Sequence, residues 1–163
     1  PNNKNIIMTA QEAAQSSPKN VAVVPTTTIP QGICALLALN YDADLTANRH
    51  AMEQAARRVK TAEITKAVRD SHLDGLDVHN GEIIGLVDDQ LVATGSCVDD
   101  VVVATLEKMV APHIELLTFY YGNGIVHEQA QTLSERVRAT YPRVEIEVVE
   151  GGQPHYMYIV SAE

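Results

Sequence analysis

The sequence predicts an α/β protein with a mixed sheet and flanking helices, built as two abutting halves that meet near Lys60. Three observations predict it. First, short apolar runs of strand length alternate with segments whose apolar residues recur every three or four positions, the pattern of strands separated by helices. Second, the character of the strands changes along the chain. Val21-Ala22-Val23-Val24 is apolar throughout, as in a parallel strand covered on both faces. The runs after Lys60 instead alternate apolar with polar residues, as in strands with one wet face. Third, 163 residues that are 45% hydrophobic and 20% charged are enough to bury a core without staples. The expected organisation is a partial parallel α/β half over residues 1–60 and a second α/β half with a mixed sheet over 61–163.

The elements follow in order. Lys4 to Gln15 carries Ile6, Ala10 and Ala13 at helical spacing, with Asn3 or Asn5 able to cap its start. A loop at Ser16–Asn20 leads into the Val21–Val24 strand. Pro25-Thr26-Thr27-Thr28-Ile29-Pro30-Gln31-Gly32 then opens a helix that runs to about Leu39. Pro30 is tolerated there because first-turn amides need no intrahelical acceptor. A third helix spans Thr46 to Val59, with Met52, Ala55, Ala56 and Val59 as its inner stripe. Thr61 to Arg69 reads as a one-sided strand and Asp70 to Gly81 as a polar loop. Glu82–Val87 and Gln90–Thr94 read as a hairpin around Asp88-Asp89. Ser96 with Asp99 makes an S-x-x-D capping box for a helix reaching Val110, with Val98, Val102, Leu106 and Met109 inward. Ile114–Phe119 is a strand broken by Gly122-Asn123-Gly124. Val126, Ala130, Leu133 and Val137 then share one helical face. Val144, Ile146 and Val148 alternate with Glu145 and Glu147 in a further strand. Gly151-Gly152-Gln153-Pro154 turns the chain into a last one, Tyr156–Val160. The expected total is about five helices and six or seven strands.

Before Lys60 this gives three helices and one strand. A lone strand leaves backbone donors and acceptors unpaired at prohibitive cost. Val21–Val24 is therefore expected to pair with the second-half sheet, with a second copy of the chain, or with a strand upstream. The opening at Pro1-Asn2-Asn3 fits a piece of a longer polypeptide.

Composition excludes several roles. Twelve Lys+Arg against 21 Asp+Glu give a net charge of -9, which repels phosphate backbones and argues against nucleic acid. With no Trp and one Phe, aromatic platforms for stacking bases are scarce. No apolar run approaches the ~20 residues of a membrane span. Cys34 and Cys97 sit in apolar neighbourhoods and read as free buried thiols of a reduced, cytoplasmic compartment.

Three stretches carry a specific resemblance: PNNKNIIMTAQEAA, VAVVPTTTIPQGICALLALN and VVEGGQPHYMYIVSAE, with AVRDSHLDG and GEIIGLVDDQLVATG between them. Over essentially the whole chain, and in this order, the sequence resembles the C-terminal region of the DAK2-domain (YloV-type), dihydroxyacetone-kinase-like bacterial proteins, the fatty acid kinase A family. The resemblance implies a DegV-like (EDD) α/β fold that lacks its first strand-helix-strand segment here. It implies an N-terminal domain, outside these residues, that binds ATP and magnesium and phosphorylates a fatty acid presented by a separate DegV-type fatty-acid-binding protein. It implies that this region docks that carrier, is not catalytic alone, and needs no cofactor of its own. The implied partners are the carrier and the rest of the same polypeptide, with room for a homodimer. Asn2, Asn3, Lys4, Asn5, Thr26, Thr28, Pro30, Gln31, Gly32, Arg69, Asp70, Asp74, Gly75, Gly151, Gly152, Gln153 and Pro154 match the family pattern. The resemblance supplies no role for them.

From the residues themselves, the candidate ligand loops are Asn3, Lys4 and Asn5 together with Thr26, Thr27, Thr28 and Gln31. A loop between a parallel strand and a helix is where open α/β sheets bind ligands, and hydroxyls with helix N-terminal amides suit a carboxylate or phosphate. On this alternative the chain is an enzyme domain holding a small anionic or phosphorylated ligand in the Asn2–Asn5 and Thr26–Thr28 loops. The plainer reading is that these residues cap helices and close turns. Glycine-rich nucleotide loops are missing. His72 and His79 with Asp70, Asp74 and Asp77 have metal-binding chemistry but read better as solvated loop residues, so no metal ligands are assigned. Arg49, Arg57 and Arg58 on one helix, and Arg136 and Arg138 on another, read as solvated faces or as a surface for an acidic partner.

Overall fold

The computed structural model describes residues 1–163. The chain forms two compact units, Pro1–Val59 and Lys60–Glu163.

The first unit contains three helices: α1 (Lys4–Ser16), α2 (Ile29–Leu37) and α3 (Leu45–Arg58). Each begins at a side chain that accepts an otherwise orphaned amide. Asn3 accepts from Asn5 N, Thr28 from Gln31 N and Asp44 from Ala47 N. Pro30 falls in the first turn of α2, where its missing N–H costs nothing. The link from α2 to α3 is fastened by Asn48. Its Nδ2 donates to the carbonyls of Asn40 (2.8 Å) and Ala43 (3.0 Å), and its Oδ1 accepts from Asn40 N (2.8 Å). A buried amide with all these bonds made holds the turn without leaving a polar group unsatisfied. Ala56 and Val59 form the buried end of the α3 stripe.

Val21–Val24 is not a strand. Residues 20–27 have no regular secondary structure and join no ladder, Val21 is exposed, and Ala22, Val23 and Val24 are half-buried. The expected pairing with the second-half sheet does not occur. All eight strands lie between Lys60 and Ala162 and pair among themselves, so no sheet edge within the chain is assigned to this run. The expectation of a parallel half over residues 1–60 therefore fails in its sheet, and the unit is helical.

The second unit is built on a six-stranded sheet in the order β5-β4-β1-β8-β6-β7. The strands are β1 (Lys60–Lys66), β4 (Ile83–Val87), β5 (Gln90–Gly95), β6 (Leu116–Tyr121), β7 (Glu145–Glu150) and β8 (Tyr156–Ala162). All neighbouring pairs are antiparallel except β6 and β7, which are parallel and joined through α5 (His127–Thr140). The sheet is thus mixed. Two helices, α4 (Val98–Met109) and α5, share one core with it. Val101, Val102, Leu106 and Met109 of α4 and Ala130, Leu133 and Val137 of α5 meet Ala62, Ile64, Leu117, Phe119 and Val160 of the strands. Each of the larger of these side chains contributes roughly 1.5–3 kcal/mol by burial. Phe119 and Tyr158 pack edge to face, with centroids 6.3 Å apart.

Four local expectations need correction. Asp70–Gly81 is not a plain loop but contains a small hairpin, β2 (Ser71–Leu73) and β3 (Leu76–Val78), around Asp74 (φ 51°) and Gly75 (φ 82°). Two successive positive φ values define the turn whose twist matches a hairpin, and Asp-Gly supplies them at low strain. The N-cap of α4 is Cys97 rather than Ser96, with no side-chain cap. Asp99 and Asp100 in the first turn answer the helix dipole instead. Cys97 is exposed and Cys34 half-buried, and both are free, so neither is the deeply buried thiol expected. Thr61, on the polar face of β1, is 1% exposed, so that position is not wet. The β4–β5 hairpin turns on Asp88 (φ 48°) and Asp89 (φ 70°). The Asp88 carboxylate accepts from Thr61 N (3.1 Å) while its own N–H donates to Thr61 O (3.0 Å), tying the turn to β1. No helix is long and apolar enough to cross a membrane.

Candidate functional site

The two loops singled out in the first unit meet only in part, since Asn3, Lys4 and Asn5 do not line the cavity they share. Thr26 Oγ1 donates to the carbonyl of Pro1, and Pro1, Asn2, Thr26, Thr28, Gly32 and Met52 line one cavity of about 490 Å³. Residues Ala22–Val24 and the apolar side chains Ile33 and Leu36 of α2 add to its wall. The cavity is mostly apolar, with Thr26 and Thr28 as the hydroxyl-bearing residues of its lining. Thr27 and Gln31 face a smaller cavity of about 190 Å³, together with Glu53 and Arg57 of α3.

Most of the polar groups in these loops are already engaged. Thr28 Oγ1 accepts from Gln31 N (3.3 Å), and Gln31 Oε1 accepts from both Thr27 N (2.9 Å) and Thr27 Oγ1 (3.1 Å). This is a capping box displaced by one residue, since the glutamine reaches the amide before the cap rather than that of the cap itself. Thr28-x-x-Gln31 is its sequence signal. Asn3 Oδ1 accepts from Asn5 N (2.8 Å), and Lys4 and Asn5, both exposed, open α1. Arg57 is held at 3.8 Å from Glu53, which also pairs with Arg49 at 2.8 Å, while Arg58 is exposed.

The other family-matching residues build turns. Gln153 Nε2 donates to Tyr120 O (2.8 Å), its carbonyl accepts from Asn123 N (2.9 Å), and Gly151 N donates to Tyr121 O (2.9 Å). Gly152 has φ 65°. A Cβ on Gly122 would lie 2.1 Å from Tyr156 O and 2.6 Å from Gln153 O, so the Gly-Gly-Gln-Pro turn needs that glycine opposite it. Asp70 Oδ1 accepts from Asn80 N (2.6 Å), and Asp74 Oδ2 accepts from Leu91 N (2.8 Å), fixing the small hairpin to β5. Arg69 is exposed. His72 Nδ1 contacts Asp77 Oδ1 at 2.7 Å in the open, and no three His, Cys, Asp or Glu side chains converge to hold an ion. Arg136 pairs with Asp100 (2.9 Å), and Arg138 donates to Ile146 O (3.3 Å).

Comparisons with known proteins agree with this architecture. Among solved structures, the Streptococcus pneumoniae fatty acid kinase B3 protein loaded with linoleic acid superposes with a TM-score of 0.61 at 14% identity. The match covers 98% of this chain and 66% of that one. A fatty-acid-binding DegV-family protein from Thermus thermophilus gives 0.59 at 17% identity, covering 96% and 66%. The DegV-family protein Cg2579 of Corynebacterium glutamicum gives 0.63 at 13%, covering 94% and 68%. These likenesses establish a DegV-family fold. In sequence, the chain is 38% identical over 163 residues to protein YloV of Bacillus subtilis (strain 168) and 37% identical to a Staphylococcus aureus (strain USA300) protein. It spans 30% of the length of each of those relatives. Residues 1–163 match the FakA-like C-terminal family, the C-terminal domain of proteins like fatty acid kinase A, and the chain belongs to that family.

Proposed function

We propose that this chain is a non-catalytic docking domain of a cytoplasmic fatty acid kinase. It holds a DegV-type fatty-acid-binding protein while another part of the same polypeptide, binding ATP and magnesium, phosphorylates the acyl carboxylate. The observation that carries the reading is the match of the whole chain to the FakA-like C-terminal family. The state of the Thr26–Thr28 and Asn3–Asn5 loops supports it. Their hydroxyls and amides serve as caps, so a phosphoryl ligand would have to displace bonds that hold α1 and α2 in place. Phosphoryl transfer also needs a cradle for the phosphates and placed metal ligands. Of the cations near the candidate loops, Arg57 already faces Glu53, and Lys4 is exposed at the start of α1.

One observation favours the second reading, a dihydroxyacetone-kinase-like domain with a small anionic ligand: Asn2 of one loop and Thr26 and Thr28 of the other line one cavity. Calorimetry separates the two. Titrating the chain with ATP and magnesium is expected to give no saturable heat. Titrating it with the DegV-type carrier is expected to give a saturable complex. The reverse pattern supports the enzyme reading.

A further inference from the structure

The first unit leaves an apolar space unfilled. Val21–Val24 makes one backbone bond, from Thr26 N to Val24 O (2.9 Å), and its other amides and carbonyls have no partner within the chain. Two cavities, of about 490 Å³ and about 420 Å³, share Ala22 and Val23 in their walls. Along the larger one, α2 presents Ile29, Ile33 and Leu36 at helical spacing, and they are 48%, 36% and 65% exposed. Ala10 brings α1 to the same cavity, yet none of the 13 residues of α1 is buried. A helix of this length is marginal in water by itself and owes its stability to an apolar face packed on a neighbour. An unpaired run, a bare helix face and an unpacked helix thus border one space.

Pro1 and Asn2 also stand at this cavity, and the Pro1 carbonyl accepts from Thr26 Oγ1, just past the carboxyl end of the run. The chain spans 30% of the length of its relatives and matches a C-terminal family, so most of the length of such proteins lies before it. We propose that the cavity holds a β-strand of the same polypeptide, formed by the residues directly before Pro1 and paired in parallel with Val21–Val24. Thr26 fixes the orientation. A strand that arrives at Pro1 has its carboxyl end beside the carboxyl end of the run, which makes the pair parallel. The register follows, with the second residue before Pro1 opposite Val24. Parallel neighbours need a crossover of a dozen or more residues, usually a helix, and α1 with its flanking loops supplies one. The added strand satisfies the backbone of the run and covers Ala10, Ile33 and Leu36. Other occupants fit less well. A small apolar molecule fills the space but leaves the backbone groups unpaired. A second copy of the chain has to enter where Pro1 and Asn2 already stand. On this account, the space that a small anionic ligand would use is filled by protein.

The full-length polypeptide provides the test. Its residues directly before Pro1 are expected to form an uninterrupted apolar run of about four or five, rich in Val, Ile or Leu, as in a parallel strand covered on both faces. Hydrogen exchange followed by mass spectrometry is expected to show the amides of Val21–Val24 exchanging at least about a hundredfold more slowly than unprotected amides. With one cysteine at the second residue before Pro1, one in place of Val24 and none elsewhere, mild oxidation is expected to link the two within a single chain. Charged or proline-rich residues before Pro1, unprotected exchange at Val21–Val24, or a disulfide that joins two chains instead of one overturns the proposal. The exchange measurement uses the unaltered protein, so it decides even where the cysteine variant fails to fold. Carrier binding enters none of these readouts, so they succeed or fail separately from the docking reading.

Discussion

Gly85 lies in β4 directly beneath α4, and replacing it with alanine tests whether the packing of helix on sheet sets the stability of this fold. A Cβ at that position would sit 1.9 Å from Thr105 Oγ1, 3.1 Å from Thr105 Cβ and 3.3 Å from Val101 Cγ1. Thr105 is completely buried, and its hydroxyl donates to Val101 O at 2.7 Å. Two responses are open. Thr105 can rotate and lose its bond, at a cost of about 1 kcal/mol. Alternatively, α4 and β4 can separate, and overpacking of this kind costs about 1–3 kcal/mol. Either response predicts a loss of about 1–3 kcal/mol, or a fall in Tm of about 3–9 °C for a chain of this size. The assay is urea denaturation followed by circular dichroism, with Gly85→Ala, Thr105→Ala and the double variant compared under one condition. Thr105→Ala removes the offending oxygen, so the double variant should be more stable than the sum of the single losses by about 1–2 kcal/mol. A Gly85→Ala protein within about 0.5 kcal/mol of the parent, or strict additivity in the double variant, would refute the reasoning.

The remaining predictions concern titration and capping. Tyr158, raised to about 12 by burial and by the Asp99 charge, is expected to give the latest phase in an absorbance titration of the phenols, and Tyr158→Phe should remove that phase. Because its folded value lies above the unfolded one, its neutral form stabilises the fold fully below pH ~10, and that contribution is lost as pH rises toward 12; the phenylalanine variant should lose less stability over this range. Glu63 is raised by burial first and by Asp89 second. Its contribution is present below the ordinary carboxylate range and is lost as pH rises through the folded value, so Glu63→Gln should raise the urea midpoint at pH 7 and leave it unchanged at pH 3. Thr28→Ala should cost about 1 kcal/mol by loss of the α2 cap, while Thr28→Asp should retain most of that stability. Equal stability of Thr28→Ala and the parent would remove the capping role assigned to this threonine.

The second half of the chain was legible in the sequence because local rules and global fold agree there. Val144, Ile146 and Val148 alternate, Asp88-Asp89 separates two strand-length runs, and Ala130, Leu133 and Val137 recur at helical spacing and are all buried. The first half misleads at Val21–Val24, where composition favours a strand but a strand exists only if a second one pairs with it. That condition is non-local, and the residues of the run do not encode it. The β2–β3 hairpin was readable in principle, since Asp74-Gly75 between Leu73 and Leu76 is a strong short hairpin signal. The surrounding polar residues hid it. In the candidate site, the juxtaposition of Pro1-Asn2 with Thr26–Thr28 followed from no spacing rule, because it depends on the path of residues 17–27 between two helices. The Asn48 clasp on Asn40 and Ala43 was missed for a related reason: a polar residue in a helix reads as solvated until the turn folding back onto it is known.

Direct binding to the carrier tests the central claim most sharply. The 163-residue chain, shown to be folded by circular dichroism, is titrated into a DegV-type fatty-acid-binding protein loaded with fatty acid, with heat and complex mass recorded together. The account predicts a saturable complex of defined stoichiometry with no turnover of added ATP. A folded chain that leaves the loaded carrier unbound throughout the titration, or that phosphorylates the fatty acid by itself, would contradict the account.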